Sequence, residues 1–329
     1  MSTIESFNPS AWLRPPHIQT LLPRLVFRRR QWYGQWETFA LNDGDFIELC
    51  WHPHATPDSQ RPLVVLFHGL EGSVDSPYIW QTMEELAEHG IDSVVMHFRG
   101  CGKTPINRLP RAYHSGDIGD PTAVIVALRE RYPNRSIHTI GFSLGGNMLV
   151  QLMSTELADV LTSAAVCCAP LDLMSCSKRI DRGFSRLYRK YLLTPLKQKF
   201  TIKQQRGMFK DCTELNSLDV NKMTSFLEFD DKVTAPLHGF NDVEDYYHRA
   251  SGKQFLKQVR KPTLIVHAND DPFLGPDVVP HLDEMNPHVT YEKHPHGGHM
   301  GFINYQHRFY SWLPTRLVKW VSEKEAEQL

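Results

Sequence analysis

The feature that most constrains the fold of this chain is a glycine-rich turn at residues 141–146, Gly-Phe-Ser-Leu-Gly-Gly. An apolar run with strand character, 136–141, ends in the turn, and a run with helical character, 144–157, leaves it. A serine between a strand and a helix lies on a tight turn, and its hydroxyl projects above the sheet. Glycines two residues to either side leave room for the neighbouring strand and helix. The turn therefore predicts Ser143 as a nucleophile.

Strand and helix patterns alternate along much of the chain. Strands are predicted at residues 35–41, 46–51, 63–67, 91–98, 136–141, 163–169, 263–267 and 289–293, the first two as a hairpin. Helices are predicted at residues 79–89, 122–131, 144–157, 276–285 and 305–323, the second with Asp120 as its N-cap. The later strands are short apolar runs, as expected for strands covered by helices on both faces. The alternation predicts an α/β fold with a doubly wound, mostly parallel sheet.

A block of different composition interrupts this alternation after the strand at 163–169. Between Lys178 and Lys210 there are eleven Lys or Arg residues and one acid, so the stretch carries a net charge of +10. Aromatic and aliphatic residues at helical spacing interleave with these cations. We predict an N-terminal arm (1–35), a core (36–170 and 258–329) and an inserted helical lid (171–257). The basic stretch 178–210 is expected to be a solvated face, with peripheral contact to an anionic membrane as the alternative.

A serine nucleophile needs a base and an acid that orients the base. The strand at 263–267 runs into Asp270 and Asp271, and the strand at 289–293 runs into a loop rich in histidine. The residues then occur in the chain in the order serine, aspartate, histidine. This is the order found in hydrolases whose nucleophilic serine lies on a turn between a strand and a helix. We favour Asp271 as the acid, because it lies one step further from the strand and reaches across to the imidazole. Asp270, as a cap of the turn, is the alternative.

Three histidines are candidates for the base. His299 follows two glycines, which let the loop return over the top of the sheet, and we favour it for that reason. His294 and His296 flank a proline closer to the strand and are the alternatives. The three histidines, together with Asp270 and Asp271, are also residue types that bind zinc, so a metal site is an alternative. A metal-dependent hydrolase would leave the turn at Ser143 unexplained.

The oxyanion of an acyl-transfer reaction needs two backbone N–H groups aimed at it. Leu144 follows the proposed nucleophile directly and supplies one of them. The loop after the first core strand, His68 to Ser73, supplies the other. Leu70 is the predicted donor because Gly69 permits the backbone turn that precedes it. A non-catalytic binding protein with the same fold is a further alternative. It predicts that the serine, the aspartate or the histidine is replaced by another residue, and Ser143, Asp271 and His299 are all present.

Composition excludes several classes of protein. The 329 residues are 41% hydrophobic and 22% charged, which is typical of a globular chain and not of a disordered or coiled-coil one. A net charge of −1 offers no field to attract nucleic acid, so none is expected as a partner. Six cysteines form no CxxC pair, and the adjacent Cys167 and Cys168 are predicted to be buried thiols. With no signal-peptide pattern and no long apolar run, a cytoplasmic location is expected.

Several motifs together resemble the YheT-type branch of the α/β-hydrolases. They are His68–Gly72 (HGLEG), His97–Gly102 (HFRGCG), Arg108–His114 (RLPRAYH), Gly141–Asn147 (GFSLGGN), Ala235–Phe240 (APLHGF), Asn269–Phe273 (NDDPF) and Gly297–Phe302 (GGHMGF). The match extends over nearly the whole chain and includes Gln19-Thr20. Lys103 departs from the pattern, since a third glycine is common after Cys101, but this position does not touch the three central residues.

The resemblance implies an α/β-hydrolase fold and a carboxylesterase with a Ser143, Asp271 and His299 triad. Related members act on short- to medium-chain acyl esters, acylglycerols or phospholipids. Some transfer acyl groups to alcohols, so an alcohol O-acyltransferase or a phospholipase with the same triad is an alternative. The implied chemistry needs no cofactor and no metal, and the implied partner is a small acyl ester or lipid. The sequence does not predict the oligomeric state.

Overall fold

A twisted sheet lies at the centre of the computed structural model, which describes residues 6–27, 32, 34–56 and 59–328. In that part of the chain the sheet has eight strands in the order β1-β2-β4-β3-β5-β6-β7-β8. Strands β1 and β2 form the predicted antiparallel hairpin, and β3 to β8 run parallel. The strands are β1 (Gln35–Ala40), β2 (Phe46–Trp51), β3 (Leu63–Phe67), β4 (Asp92–His97), β5 (Ile137–Phe142), β6 (Ser163–Cys167), β7 (Thr263–Ala268) and β8 (Val289–His294). The predicted doubly wound, mostly parallel sheet is confirmed.

Helices cover both faces of this sheet. The helices are α1 (Pro16–Val26), α2 (Pro77–Glu88), α3 (Gly119–Arg131), α4 (Leu144–Met153), α5 (Leu173–Ile180), α6 (Ser185–Gln205), α7 (Thr213–Asn216), α8 (Phe226–Phe229), α9 (Ala235–Leu237), α10 (Val243–Ala250) and α11 (Trp312–Ala326). Alternate side chains of a strand point to opposite faces, so β3 buries Val65 and Phe67 against α3 and α4, and Val64 and Leu66 against α2 and α11. Burial on both faces explains why the core strands have no polar alternation.

Helices α5 to α10 form the segment inserted between β6 and β7. This segment has a small apolar cluster of its own, which includes Leu193, Phe200 and Phe209. Lys203 of α6 is buried, and its ammonium donates hydrogen bonds to the carbonyl groups of residues 109, 110 and 111 at 2.8–3.1 Å. Burial lowers the pKa of Lys203 to about 7. The long helix α6 is thus tied to a loop of the core, while the role of the segment as a lid stays a prediction.

Three local predictions are wrong. Residues 276–285 form two 3₁₀ turns in place of the predicted α-helix, because Pro280, in the interior of that span, removes a backbone hydrogen bond that the helix needs. The last helix begins at Trp312, and the residues before it form the hairpin β9 (Ile303–Gln306) and β10 (Arg308–Ser311). Asp120 is not an N-cap: it lies inside α3, and its carboxylate accepts two hydrogen bonds of 2.7 Å from the buried Arg99 guanidinium. Pairing of two buried charges outweighs capping here.

Candidate active site

Ser143 lies on the sharp turn between β5 and α4. Its backbone has φ 51° and ψ −117°, in a region that residues with a side chain rarely adopt. The turn is held by the Ser143 N–H, which donates to the carbonyl of Cys167 at 2.8 Å. Only glycine fits two residues later, because a Cβ on Gly145 would lie 2.6 Å from the carbonyl oxygen of His68. The fold therefore presses the turn against β3 and lifts the Ser143 hydroxyl clear of the sheet.

His299 and Asp271 meet Ser143 at the carboxyl ends of the strands. The Ser143 hydroxyl lies 3.0 Å from Nε2 of His299, in position to donate its proton to that nitrogen. On the other side of the ring, Nδ1–H of His299 donates to Oδ2 of Asp271 at 2.8 Å. Asp271 is 4% exposed and His299 7%, so both bonds are shielded from water. The three residues thus form one hydrogen-bonded series, in the order that activates a hydroxyl.

The neighbours of His299 restrict its imidazole to one position. The ring of Phe273 stacks on it with 4.0 Å between ring centres and 7° between planes. Oδ1 of Asp271 accepts a hydrogen bond from the Phe273 N–H at 2.8 Å, which leaves Oδ2 to face the histidine. The His299 N–H donates to the hydroxyl of Thr20, on α1, at 3.0 Å. The N-terminal segment therefore supports the loop that carries the histidine.

Asp270, the alternative acid, binds a different part of the same loop. Its Oδ1 accepts from the Gly298 N–H at 2.9 Å, and its Oδ2 lies 3.5 Å from Nδ1 of His296. Burial raises the pKa of Asp270. His294, further back, accepts a hydrogen bond from the Phe7 N–H at 3.1 Å and packs against Trp312. In the described part of the chain, the hydrogen-bond partner of the Ser143 hydroxyl is His299, and Asp270, His294 and His296 bind other groups.

The histidine cluster does not assemble as a metal site. His294 and His296 have the separate partners just described. Among the described residues, the group whose ligand atoms lie within 4.8 Å of one another is Cys168, Asp271 and His299. Both nitrogens of His299 are already engaged, by Ser143 and Asp271. The donor set that the sequence offered as an alternative is therefore not brought together.

The loop after β3 lies directly beside Ser143. A Cβ on Gly69 would be 3.2 Å from Cβ of Ser143. His68 holds the loop from one side, because its Nδ1–H donates to the Gly69 carbonyl at 2.7 Å and its Nε2 accepts from the Phe98 N–H at 3.1 Å. Burial lowers the pKa of His68 to about 3, so this imidazole is neutral. Tyr78 holds the loop from the other side, since its hydroxyl accepts from the Gly69 N–H at 3.1 Å.

The two predicted oxyanion donors both line the space in front of Ser143. Leu70 follows Gly69 in this loop, and Leu144 is the first residue of α4. Neither N–H group donates to another group within the described residues 6–27, 32, 34–56 and 59–328. The N-terminus of a helix also favours negative charge. The surroundings of these two amides suit a developing oxyanion.

A cavity of about 660 Å³ opens in front of Ser143 and His299. Its volume is in the range of small-molecule sites. Helix α1, the loop after β3 and the inserted helices all contribute to its walls. Most of the side chains that line it from the inserted segment are apolar: Leu173, Ile180, Phe184, Leu187, Tyr188, Leu192, Leu196, Phe200, Phe209, Phe226, Phe229, Val233 and Leu237. An apolar ligand fits these walls better than a charged one.

Most of the residues that support the site lie inside the motifs quoted above, although nothing in the sequence indicates which contacts they make. Thr20, His68 and Phe273 belong to such motifs, so the motifs marked their positions without their contacts. Tyr78 lies outside every motif and reaches the site only because α2 packs beside β3. The predicted burial of Cys167 and Cys168 is confirmed, and both are free thiols. No helix in the described part of the chain is long and apolar enough to cross a membrane.

A protein-family model described as the alpha/beta hydrolase fold matches residues 62–304, about three quarters of the chain. The chain belongs to this family. This α/β hydrolase is also 38% identical, over 98% of its own length and 94% of the relative's, to an Escherichia coli (strain K12) protein named "Putative esterase YheT". It is 29% identical to the mouse phospholipase ABHD3, over 91% of this chain and 74% of that one. The predicted resemblance is confirmed.

A solved structure gives the same fold. The α/β hydrolase aligns with the esterase Pf2001 of Pyrococcus furiosus with a TM-score of 0.55, over 90% of this chain and 91% of that one. The two sequences are 16% identical, so the likeness concerns the fold alone. The predicted α/β-hydrolase fold is thereby confirmed. The predicted enzyme class, a carboxylic ester hydrolase, is borne out by the family and by relatives named esterase and phospholipase.

Proposed function

We propose that the chain hydrolyses carboxylic esters through an acyl-enzyme on Ser143, with His299 as general base and Asp271 as the acid that orients it. One observation carries this proposal: the unbroken hydrogen-bonded series Ser143–His299–Asp271 at the wall of an apolar cavity. The series has the right order, the right protonation sites and little contact with water. The names of the relatives, an esterase and a phospholipase, agree with this chemistry.

The first half-reaction forms the acyl-enzyme. Nε2 of His299 takes the proton of the Ser143 hydroxyl as its oxygen attacks the ester carbonyl carbon. The Asp271 carboxylate holds Nδ1–H, which fixes the tautomer with a free lone pair on Nε2 and stabilises the imidazolium that forms. The N–H groups of Leu70 and Leu144 receive the carbonyl oxygen as it becomes an oxyanion. His299 then returns the proton to the leaving alkoxide.

The second half-reaction frees the enzyme. Water, activated by the same imidazole, attacks the acyl carbonyl and passes through a second oxyanion in the same pair of amides. The carboxylic acid leaves, and Ser143 regains its proton from His299. Every proton transfer in this scheme involves side chains of the chain itself, so no cofactor takes part in it.

The substrate class follows from the cavity. The apolar side chains of α6 and of helices α5 and α8 suit the hydrocarbon chain of a short- to medium-chain acyl ester or an acylglycerol. In this proposal helices α5 to α10 act as a lid on the core, and the segment before β1 acts as an arm that supports the histidine loop.

The experiment compares the wild-type chain with Ser143→Ala on p-nitrophenyl esters from acetate to palmitate. We expect hydrolysis by the wild type, strongest for short or medium chains, and none by the variant. A fluorophosphonate probe should label the wild type and fail to label the variant. Matched circular dichroism spectra and melting temperatures establish that the variant is folded. Turnover retained in pure Ser143→Ala would contradict the proposal.

A further inference from the structure

The mouth of the cavity carries large apolar side chains that face solvent. Leu21 and Leu25 on α1 are 40% and 59% exposed, and Phe184, Leu187 and Tyr191 on or just before α6 are 46%, 58% and 60% exposed. All five also line the cavity, so they surround its opening. We call these five residues the rim surface. A contiguous apolar patch of this kind at a cavity entrance is typical of a docking surface.

Three contacts join α1 to the segment that carries the rest of the rim surface. The His17 ring of α1 packs on Phe184 with 4.4 Å between ring centres, and its Nδ1 lies 3.0 Å from the Tyr188 hydroxyl. Further along, the Arg24 guanidinium sits 4.8 Å from the ring centre of Tyr191. The apolar side chains of α1 and α6 therefore present one surface with a fixed arrangement.

Uncompensated cations border this surface. Arg186 and Lys190 are exposed and lie four residues apart on α6, so they share one side of that helix, and the exposed Arg182 lies in the turn just before it. None of the three, nor Arg24, forms an ion pair with a carboxylate among the residues that the structure describes. Arg189, by contrast, is neutralised by Asp181 at 2.8 Å. The charge beside the apolar rim is therefore free to meet an external anion.

We propose that the rim surface docks on a lipid bilayer that contains anionic phospholipids. Apolar side chains would enter the boundary between headgroups and acyl chains, and the flanking cations would meet lipid phosphates. Docking in this orientation turns the cavity mouth toward the bilayer, where an acyl ester is dissolved. A second copy of the chain fits less well, because its own cations would face these. The value of docking for catalysis rests on the proposed function, whereas the binding itself does not.

The test is co-sedimentation of the full chain with vesicles of phosphatidylcholine alone or of equal parts phosphatidylcholine and phosphatidylglycerol. We expect binding to the anionic vesicles at low salt and much weaker binding at high salt. The charge-reversed variant Arg182→Glu/Arg186→Glu/Lys190→Glu should bind at least about 100-fold more weakly, since each cation lost weakens binding roughly fivefold and reversal weakens it further. Leu25→Asn should weaken binding to both kinds of vesicle. The matched control Arg206→Glu/Lys210→Glu/Lys319→Glu reverses the same number of exposed cations outside residues 182–190, with the same change in net charge, and should bind nearly as the wild type does.

Three results would overturn this proposal: a wild type that binds no vesicles, a charge-reversed rim variant that binds as the wild type does, or size-exclusion data that show a dimer closed through the rim surface. The rim cations lie outside the proposed catalytic machinery, so the charge-reversed variant should hydrolyse a soluble acetate ester at the wild-type rate. A wild type that binds vesicles yet hydrolyses no ester would refute the proposed function and leave the docking surface standing.

A second observation, independent of the rim, concerns Glu71 in the loop after β3. Glu71 follows Leu70 and has φ 54°, which is costly for a residue with a side chain. Its N–H donates to the Tyr113 hydroxyl at 2.9 Å, and that hydroxyl donates to Oε1 of the same glutamate at 2.8 Å. Oε2 pairs with the ammonium of Lys199, on α6, at 2.6 Å. The side chain of Glu71 is 8% exposed, so Lys199 supplies the charge that this buried carboxylate needs.

From this we infer that Lys199 is a positioning residue for the oxyanion site. By holding Glu71 in the left-handed conformation, it fixes the Leu70–Glu71 peptide unit. That unit in turn restricts the preceding Gly69–Leu70 unit, which carries the Leu70 N–H. A side chain of the inserted helices thus sets the geometry of a donor in the core. The inference rests on the proposed function, because it assigns a purpose to the Leu70 amide.

The test separates transition-state binding from substrate binding. An alkyl trifluoromethyl ketone forms a tetrahedral adduct whose oxyanion occupies the proposed site. For Lys199→Met we expect a fall of about tenfold or more in kcat and a similar rise in the inhibition constant of the ketone, with KM nearly unchanged. Lys199→Arg, which keeps the charge, should restore much of both. Lys197→Met, two residues away and bound to the Met223 carbonyl, is the control and should change neither.

An unchanged inhibition constant in Lys199→Met, or equal changes in KM and the inhibition constant, would overturn the inference, because a mere change of cavity shape affects both. Failure of Lys199→Arg to recover either quantity would also overturn it. A wild type that hydrolyses no ester and binds no ketone would instead refute the proposed function.

Discussion

Asp270 and Asp271 are adjacent in the sequence, yet they bind two different groups of one loop. Asp270 accepts a hydrogen bond from the backbone N–H of Gly298, and Asp271 accepts one from the side chain of His299. One aspartate therefore fixes the path of the loop and the other fixes the imidazole. Two substitutions of the same size at neighbouring positions separate these effects.

For Asp271→Asn we expect kcat to fall by about 10⁴, because an amide in place of the carboxylate favours the wrong tautomer of His299. Asp270→Asn keeps an acceptor for the Gly298 N–H and should cost at most about tenfold. Steady-state hydrolysis of a p-nitrophenyl ester measures both. Equal losses in the two variants, or a larger loss at Asp270, would show that the acid has been assigned to the wrong residue.

Phe273 is expected to affect the rate without touching the substrate carbonyl. Its ring lies parallel to His299 and restricts the imidazole to the plane that faces Ser143. A stacked pair of this kind contributes about 0.5–1.5 kcal/mol, so Phe273→Leu should lower kcat by roughly threefold to tenfold. The pH profile of kcat should keep its shape, because no proton transfer is removed. Activity at the wild-type level in Phe273→Leu would mean that the stacking does not hold the base in place.

Arg99 is expected to matter for stability. Its buried guanidinium pairs with Asp120 and with Asp43 at 2.7 Å, and with Asp45 at 3.0 Å. Arg99→Met leaves Asp45, which is fully buried, without its compensating charge. Removal of one partner from such a network costs about 3–5 kcal/mol, and urea denaturation measures the loss in the free energy of unfolding. Arg131→Met, which breaks a half-exposed pair with Glu37, is the control and should cost under about 1 kcal/mol.

Acid should destabilise the fold well above the pH at which carboxylates titrate. Burial lowers the pKa of His68 to about 3 and the pKa values of His97 and His267 to about 4. In the unfolded chain these imidazoles bind protons below about pH 6.5, while in the folded chain they stay neutral. The free energy of unfolding should therefore fall as pH drops from about 6.5 toward 4, by about 1.4 kcal/mol per pH unit for each such histidine.

Urea denaturation at several pH values between about 5 and 7.5 measures this slope. His267→Gln should reduce the slope by about one histidine's share, since it removes one group that takes up a proton on unfolding. A free energy of unfolding that stays flat or rises on acidification would contradict the burial of neutral imidazoles.

The sheet was predictable because its evidence is local. The five consecutive apolar residues from Leu63 to Phe67 are too few for a helix and are typical of a buried strand, and the turn at Ser143 marks the passage from a strand to a helix. The ends of elements were less predictable, because they depend on partners distant in the sequence. Asp120 is the clearest case: its sequence context suits a cap, but Arg99 lies 21 residues away and binds its carboxylate more strongly.

The site was predictable in its central residues and not in its supports. Ser143, Asp271 and His299 follow β5, β7 and β8, and the carboxyl ends of parallel strands meet at one edge of the sheet, so their proximity could be predicted. The stacking of Phe273 on His299 and the hydrogen bond from His299 to Thr20 join segments that only the tertiary structure brings together. The spacing of residues along the sequence does not predict contacts of this kind.

The proposed mechanism requires covalent acylation of Ser143, and intact-protein mass spectrometry after rapid acid quench tests this directly. During the first turnover of a p-nitrophenyl ester, a fraction of the wild-type chain should gain the mass of one acyl group. Peptide mapping should locate that group on Ser143, and His299→Ala should accumulate none. Turnover with Ser143 unmodified throughout, or with the acyl group on another residue, would contradict the central claim.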